Sequence, residues 1–309
     1  MKAIVVDDYG AEPELRDIPA PEPGPGEILV RVSSSSLNGF DRASTGGWLK
    51  GMIEHEFPFV VGKDFAGTVE AVGEGVTQYE VGDPVFGVVL GPVLHDGAFC
   101  EYLTVAENGA VAPIPAGLDP VVAGALGLAA STAVAVVDAV AAEQGETVLI
   151  VGATGGVGPL ALQMLRDRGV QVIATARPGA WLDLVEEAGA DHTVDYSTDI
   201  TPQVRALRPD GVDAAIHMAG DAGETADLVR RDGRFVSIVG GEYQVADRPI
   251  SAVGVFASPD REMLTGLAEA VVSGELKLTI RTTYRLEEAR AALEEYRQFS
   301  VAKVAILVA

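Results

Sequence analysis

The stretch VLIVGATGGVGPLALQML, Val148 to Leu165, constrains the fold of this chain more than any other. A short apolar run ends in a glycine-rich turn, and apolar residues at helical spacing, Leu160, Ala161, Met164 and Leu165, follow at once. Such a pattern describes a buried strand feeding directly into a helix. Within the turn, Ala153, Gly155 and Gly158 occupy the three positions of a dinucleotide-binding fingerprint, with alanine at the first. The physical demands there are a tight turn, close approach of backbone to a pyrophosphate, and close packing of helix on strand; the last two fall on Gly155 and Gly158. Ala153, Thr154, Gly155, Gly156, Val157 and Gly158 are therefore the candidate phosphate-binding segment, because N–H groups at the start of a helix face outward to an anion. Pro159 is tolerated in the first helical turn, where spare donors exist anyway. Any tight strand-to-helix turn can use glycine. The strand before, the helix after and a second strand, VQVIATA, at the right distance favour the dinucleotide reading.

The tip of that second strand bears on which dinucleotide. An acidic side chain there bonds the ribose hydroxyls of NAD, whereas NADP sites remove the acid and supply a cation. This chain has Ala176 and then Arg177, the only Lys or Arg between Gly169 and Val204 in a sequence with 45 acidic and 22 basic residues. A solvated surface arginine is the plain alternative; the functional one is a guanidinium fork on the 2′-phosphate. NADPH is the expected cofactor.

The first third of the chain has a different texture, with short strands separated by Gly and Pro: KAIVV, EILVRVSSSSL, FAGTVEAVG, PVFGVV and AFCEYLTV. Such punctuation suggests an all-β barrel or sandwich. From about Leu118, apolar runs alternate with helical patterns. TVLIVG, VQVIATA, HTVDY, VDAAIHM, RFVSIVG and ISAVGVFA are candidate strands, with helices expected near 157–168, 180–188, 201–207 and 223–230. Alternation of this kind argues for a parallel, doubly wound sheet. A helix in LEEARAALEEYR and a strand in KVAILV close the chain.

A formal charge of −23 argues against a nucleic-acid or anionic-membrane partner. The single cysteine, Cys100, allows no intramolecular disulfide and no multi-cysteine zinc site, which fits a reducing, cytoplasmic setting. The longest weakly polar stretch, Val121 to Ala142, is interrupted by Gly, Ser, Thr and Asp, so a soluble protein is expected.

The segment VVGKDFAGTVEAVGEGVTQYEVGDPVFG, Val60 to Gly87, followed by DGAFCEYLTV and ATGGVG, resembles the medium-chain dehydrogenase/reductase superfamily, and within it the zinc-free quinone oxidoreductase branch. The likeness runs the length of the chain. It implies an α/β protein: a co-chaperonin-like β-barrel catalytic domain, residues 1–117 with 260–309, plus a Rossmann doubly wound parallel sheet, residues 118–259. It also implies NADPH in the cleft between them and a homodimer formed through the edge of the Rossmann sheet. The zinc alcohol dehydrogenases of the superfamily use Cys, His and Cys as catalytic ligands, and the aligned motifs put Asn38, Lys63 and Leu128 there. Asn could at most be a weak oxygen ligand, and the set cannot form the site. His55, His95, His192 and His217 lack metal spacing.

Further residues carry over by motif. LNGFDRASTGGW matches the family's NPxD segment with Gly39 in place of Pro, which implies that Asn38 lies near nicotinamide and substrate; an Asn bonding its own turn is the alternative. Phe40 and Trp48 are candidates to wall the pocket of a planar acceptor, or are simply core at a barrel rim. Thr132 in LAASTAV resembles a Thr beside the nicotinamide, with a helix cap or core hydroxyl as the alternative. Tyr196 in HTVDYS matches a Tyr near the adenine and its 2′-phosphate, or is a strand-end aromatic. Gly220 and Gly240 end strands that line the nucleotide cleft in the family. Lys303 in SVAKVAIL matches a C-terminal Lys that reaches the cofactor, although the two glycines of the usual motif are missing.

Without zinc there is no strong Lewis acid for an isolated alkoxide, so hydride transfer suits acceptors that delocalise the incoming charge, namely quinones and α,β-unsaturated carbonyls. Two alternatives stay open. One is an enoyl-thioester reductase, which usually carries a Tyr where this chain has Leu49, beside Trp48. The other is a protein that binds NADPH in a structural or regulatory role.

Overall fold

In a computed structural model describing residues 1–298 and 302–308, the apolar run of the glycine-turn stretch is the strand Thr147–Val151, buried at every residue. Complete burial of a strand requires cover on both faces, as in a parallel sheet flanked by helices. The strand lies near the middle of a six-stranded parallel sheet. On one side come Gln171–Thr175 and then His192–Val194. On the other come Val212–His217, Val229–Ser237 and, at the edge, Ser251–Gly254. All six expected strands form, in the order of a doubly wound dinucleotide-binding sheet. The order reverses on either side of Thr147–Val151, so ligand binding is expected at the carboxyl ends of the strands there. Leu149, Ile173, Val194, Ala215 and Phe235 belong to one apolar cluster of this sheet.

The intervening helices are Gly158–Asp167, Ala180–Glu187, Ile200–Leu207 and Ala222–Asp227. The last is shorter than the expected 223–230. Val229 pairs with Val212 and starts a strand instead; the register then shifts, and Asp232 adopts φ 61° within that strand.

A second unit is built around the long strand Glu27–Leu37. It runs antiparallel to Asp64–Val72, to Tyr102–Ala106 and to the C-terminal strand Lys303–Leu307, in a branched seven-stranded sheet. One apolar cluster gathers Ile28, Val30, Phe65, Val85 and Leu103; another gathers Ile4, Leu37, Phe99, Leu293 and Ile306. The serine run Ser33–Ser36 is no loop. Ser34 Oγ donates to the Pro120 carbonyl at 2.8 Å, Ser35 Oγ to the Asp64 carbonyl, and Ser36 Oγ to Asp64 Oδ2 at 2.6 Å. A helix absent from the sequence expectation, Arg261–Ser273, also belongs here. Its signals are ordinary ones: Asp260 accepts the Met263 N–H as N-cap, and Gly274 at φ 82° closes the helix.

The two units comprise Met1–Ala129 with Pro259–Ala309, and Ala130–Ser258. Their first boundary falls inside the helix Pro120–Val140, later than the change of texture near residue 118. The cause is packing of the first half of this helix on barrel strands. A Cβ on Gly124 would lie 2.4 Å from Ser34 Oγ and one on Gly127 2.7 Å from Val88, while the Leu128 N–H donates to Asp64 Oδ1 at 2.6 Å. The helix is long and apolar enough to cross a membrane by composition, yet 61% of its most apolar window is buried within the fold. It serves as a core helix, with Leu126, Ala129, Ala133 and Val136 almost fully enclosed.

Candidate active site

The sheet unit presents a nucleotide-like edge. Gly152, at φ 90°, donates its N–H to Thr175 Oγ1 at 3.0 Å, and the Gly155 N–H closes the turn on the Gly152 carbonyl at 3.1 Å. Ala153 and Thr154 are buried, whereas Gly155, Gly156 and Val157 are partly open. The helix then starts at Gly158 with Pro159 in its first turn, and Val157 supplies no side-chain cap. Its first N–H groups are thus left for an anion. A Cβ on Gly158 would fall 2.1 Å from the Ala153 carbonyl oxygen, so only glycine permits this approach of helix to strand.

Ala176 is buried at the end of the second strand. Arg177 follows, and its Nε donates to the Tyr196 hydroxyl at 3.1 Å while its guanidinium lies 5.2 Å from the ring centroid. Two residues singled out separately in the sequence thus form one surface, with a cation and an aromatic face side by side.

Gly220 and Gly240, at φ 79° and 77°, follow the strands Val212–His217 and Val229–Ser237. The residue that organises their loops, His217, carries no motif and was assigned in the sequence only as a non-ligand. Ser237 Oγ accepts the N–H groups of Val239 and Gly241, at 3.2 and 2.9 Å, so its own proton is free to go to His217 Nδ1 at 3.1 Å. The other ring nitrogen, Nε2, then carries the proton donated to the Gly220 carbonyl at 3.2 Å. Burial lowers the pKa of this imidazole. Thr132, in the second half of the helix Pro120–Val140, is nearly buried.

In the barrel unit, Asn38 starts the short helix Gly39–Thr45, and its N–H donates to Asp41 Oδ2 at 2.8 Å. Its amide is fixed by two charged neighbours. Nδ2 donates to Asp64 Oδ2 at 2.9 Å, and Oδ1 accepts from Lys303 Nζ at 2.8 Å. Lys303 also donates to the Leu37 carbonyl at 3.0 Å and to Asp64 Oδ2 at 3.2 Å. All three protons of its ammonium therefore have acceptors inside this unit. The reach to a cofactor implied by the resemblance would require breaking these bonds. Asp41 is buried, and desolvation pushes its carboxyl up to about 7.

Phe40 borders a small recess with Asp41, Ser44, Lys63 and Asp96. Trp48 is 64% exposed, lies beneath the Arg42 guanidinium at 4.9 Å, and does not line that recess. Sequence reasoning weighed Lys63 only as a missing zinc ligand. Its ammonium stands 5.2 Å from the centroid of the Phe40 ring.

Residues 24–116 match the alcohol dehydrogenase GroES-like domain, and residues 188–301 match the zinc-binding dehydrogenase domain. A quinone oxidoreductase of Rattus norvegicus is 30% identical, over 96% of this chain and 93% of its own length. A mycocerosic acid synthase-like polyketide synthase of Mycobacterium tuberculosis is 32% identical over 88% of this chain, which spans 14% of that synthase. Among solved structures, the quinone oxidoreductase from Coxiella burnetii aligns with a TM-score of 0.90 at 27% identity, over 100% of this chain and 99% of that one. A mycobacterial protein complexed with NADPH aligns with a TM-score of 0.86 at 26% identity, over the full length of both. The chain belongs to the quinone oxidoreductase branch of the medium-chain dehydrogenase/reductase superfamily, a family of nicotinamide-dinucleotide-dependent oxidoreductases with a GroES-like domain and a Rossmann-like sheet.

Zinc, which the second domain's description evokes, does not fit the residues at the ligand positions. The Asn38 amide is held by Lys303 and Asp64, Lys63 is an amine, and the Leu128 side chain has no donor atom. Among the described residues, no group of three His, Cys, Asp or Glu side chains is placed to hold a metal.

Two outcomes are expected of this geometry. Lys303→Met leaves Asp64 buried without its cation and lowers the unfolding free energy by about 3–5 kcal/mol, measurable by urea titration; Lys303→Met with Asp64→Asn recovers part of that loss. His217 has a lowered folded-state pKa, so the folded protein binds fewer protons and its stabilising contribution is whole above the unfolded value of about 6.5 and lost as pH falls below it. A His217→Asn variant should therefore show a shallower fall of Tm between about pH 6.5 and 5 than the parent.

Proposed function

We propose that this oxidoreductase is an NADPH-dependent, zinc-independent reductase of quinones or α,β-unsaturated carbonyls. The observation that carries the reading is the identity of the groups at the ligand positions of its zinc-using relatives. An amide bonded to an ion pair, an amine and an isobutyl group give no Lewis acid site, so an acceptor must delocalise the charge it receives. Quinones and enones do so through conjugation. The NADPH complex of the mycobacterial neighbour and the Arg177–Tyr196 surface support the choice of cofactor. Buried Ala176 puts no carboxylate at the strand tip itself, where an NAD site has its acid.

Bound NADPH supplies the hydride. The chain's own residues hold the pyrophosphate on the helix that starts at Gly158, grip the 2′-phosphate with Arg177, and bound the nucleotide with the loops of Gly220 and Gly240 and with Thr132. Asn38, its amide fixed by Asp64 and Lys303, presents a rigid rim to nicotinamide and acceptor, with Phe40 as an apolar wall. Trp48, exposed beneath Arg42, is a contact for a larger acceptor.

The match to a polyketide synthase segment favours a second reading, reduction of enoyl thioesters. Against it, Leu49 stands at the expected tyrosine position and is itself buried. A homodimer is proposed through the edge strand Ser251–Gly254, where Val253 and Phe256 are exposed. The single thiol, Cys100, is buried and pushed up to about 12 by desolvation, which suits a reducing cytoplasm without demanding it.

The test is NADPH consumption against quinones, enones, enoyl thioesters and saturated aldehydes, with NADH in parallel. Quinone or enone turnover is expected, and turnover of aldehydes alone overturns the reading. Arg177→Ala should raise KM for NADPH by about 10-fold or more, equivalent to about 1.4 kcal/mol, while leaving KM for NADH little changed; equal effects on both would remove Arg177 from the 2′-phosphate site. Phe256→Glu should shift the sedimentation coefficient to that of a monomer.

A further inference from the structure

Lys63 is a buried charged residue of the barrel unit that neither the ion pair nor the proposed cofactor contacts employ. It immediately precedes the strand Asp64–Val72 and is only 7% exposed. Its neighbour in sequence, Asp64, is turned to Lys303 and Asn38. Among the described residues, the Lys63 ammonium has no hydrogen-bond or ion-pair partner; what faces it is the Phe40 ring, 5.2 Å from Nζ to centroid.

A buried ammonium without a direct partner is expensive to keep. Lys303 shows the structural solution in the same unit, with an acceptor for every proton. Lys63 has instead a recess, whose walls include the apolar faces of Phe40, Phe59 and Leu94 and the carboxyls of Asp41 and Asp96. Both acids act on Lys63 only at longer range, through their fields. Asp64 and Lys303 act in turn on Asp41, and Asp41 acts on the buried hydroxyl of Tyr296. The proton of Lys63 is therefore neither locked in a bond nor dissolved in bulk water.

We propose that Lys63 is the general acid of the conjugate reduction, protonating the acceptor once it has received the hydride. This rests on the reading of the protein as a quinone or enone reductase. Hydride addition forms a C–H bond and breaks the acceptor's conjugated π bond, whose electron pair moves to the carbonyl oxygen. An N–H bond of Lys63 then breaks and its proton goes to that oxygen, giving an enol and leaving a neutral amine; the enol from a quinone becomes the hydroquinone by losing a proton from the ring carbon that took the hydride and gaining one at its remaining carbonyl oxygen. Water entering the recess returns the proton to the amine, and the enol of an enone tautomerises to the saturated ketone. Two electrons and one proton from NADPH and one proton from Lys63 account for the reduction.

Burial brings the Lys63 amine down to about 8, while Asp41 and Asp96 oppose the shift. At pH 7 the acid form dominates, and its strength is near the working pH, where general-acid catalysis is most effective.

The test compares single-turnover oxidation of NADPH by an enone in the whole protein and its variants between pH 6 and 10. The wild-type rate should fall above about pH 8, the value to which Lys63 is brought down. Lys63→Met should slow the chemical step by about 100-fold and abolish that alkaline limb, with KM for NADPH little changed. Lys63→Arg, which keeps the charge but titrates far higher, should lose the limb as well. The midpoint of Lys63 acylation by acetic anhydride, located by peptide mass, should lie near 8; a midpoint near the ordinary 10.4 overturns the proposal. Enone reduction that proceeds unchanged in Lys63→Met overturns it alone. Failure of the wild type on quinones and enones alike overturns the parent reading and this step together.

Discussion

The buried pair of Lys303 and Asp64 is the interaction on which the barrel unit's functional face depends. Asp64 accepts from the Leu128 N–H, the Ser36 hydroxyl, the Asn38 amide and the Lys303 ammonium, and it is fully buried. Such a pair is weak evidence for net stability, because desolvation offsets its attraction, but losing one partner strands the other charge. Its value here is positional. The same two side chains determine how Asn38 points, and the strand carrying Lys303 must be docked between Glu27–Leu37 and Ile280–Arg285 for that to happen.

The sheet unit solves a related problem without a buried ion pair. Its glycine turn leaves the first N–H groups of the helix Gly158–Asp167 uncapped, its second strand ends in a buried alanine and a cation, and a neutral imidazole joins the loops beyond two further strands. Each device places partial or full positive charge, or a passive surface, where phosphates are expected. An acidic chain with a formal charge of −23 makes this local arrangement necessary, since its overall field repels anions.

Much of the architecture was legible because the signals were local. The six strands of the parallel sheet are short apolar runs bounded by turn residues, and all six formed. The helix Arg261–Ser273 was missed although Asp260 and Gly274 mark both its ends. The end of Ala222–Asp227 was misjudged because pairing of Val229 with Val212, a tertiary contact, overrode the local pattern. The unit boundary was displaced for the same kind of reason: Gly124 and Gly127 let the start of the helix Pro120–Val140 lie close on barrel strands, and small residues do not announce which neighbour they admit.

By itself, the sequence determined the nucleotide turn, the alternating texture of the sheet unit and the residues at the zinc-ligand positions, because backbone sterics, hydrophobic period and ligand chemistry are properties of neighbouring residues or of residue type. Tertiary structure alone decided that Arg177 meets Tyr196, that His217 joins two loops, and that two lysines of identical chemistry part company. Lys303 finds acceptors on residues more than 200 positions away, while Lys63 is enclosed beside Phe40 with none among the described residues. What separates them is the set of acceptors within reach of each ammonium, and only the folded chain brings those acceptors together.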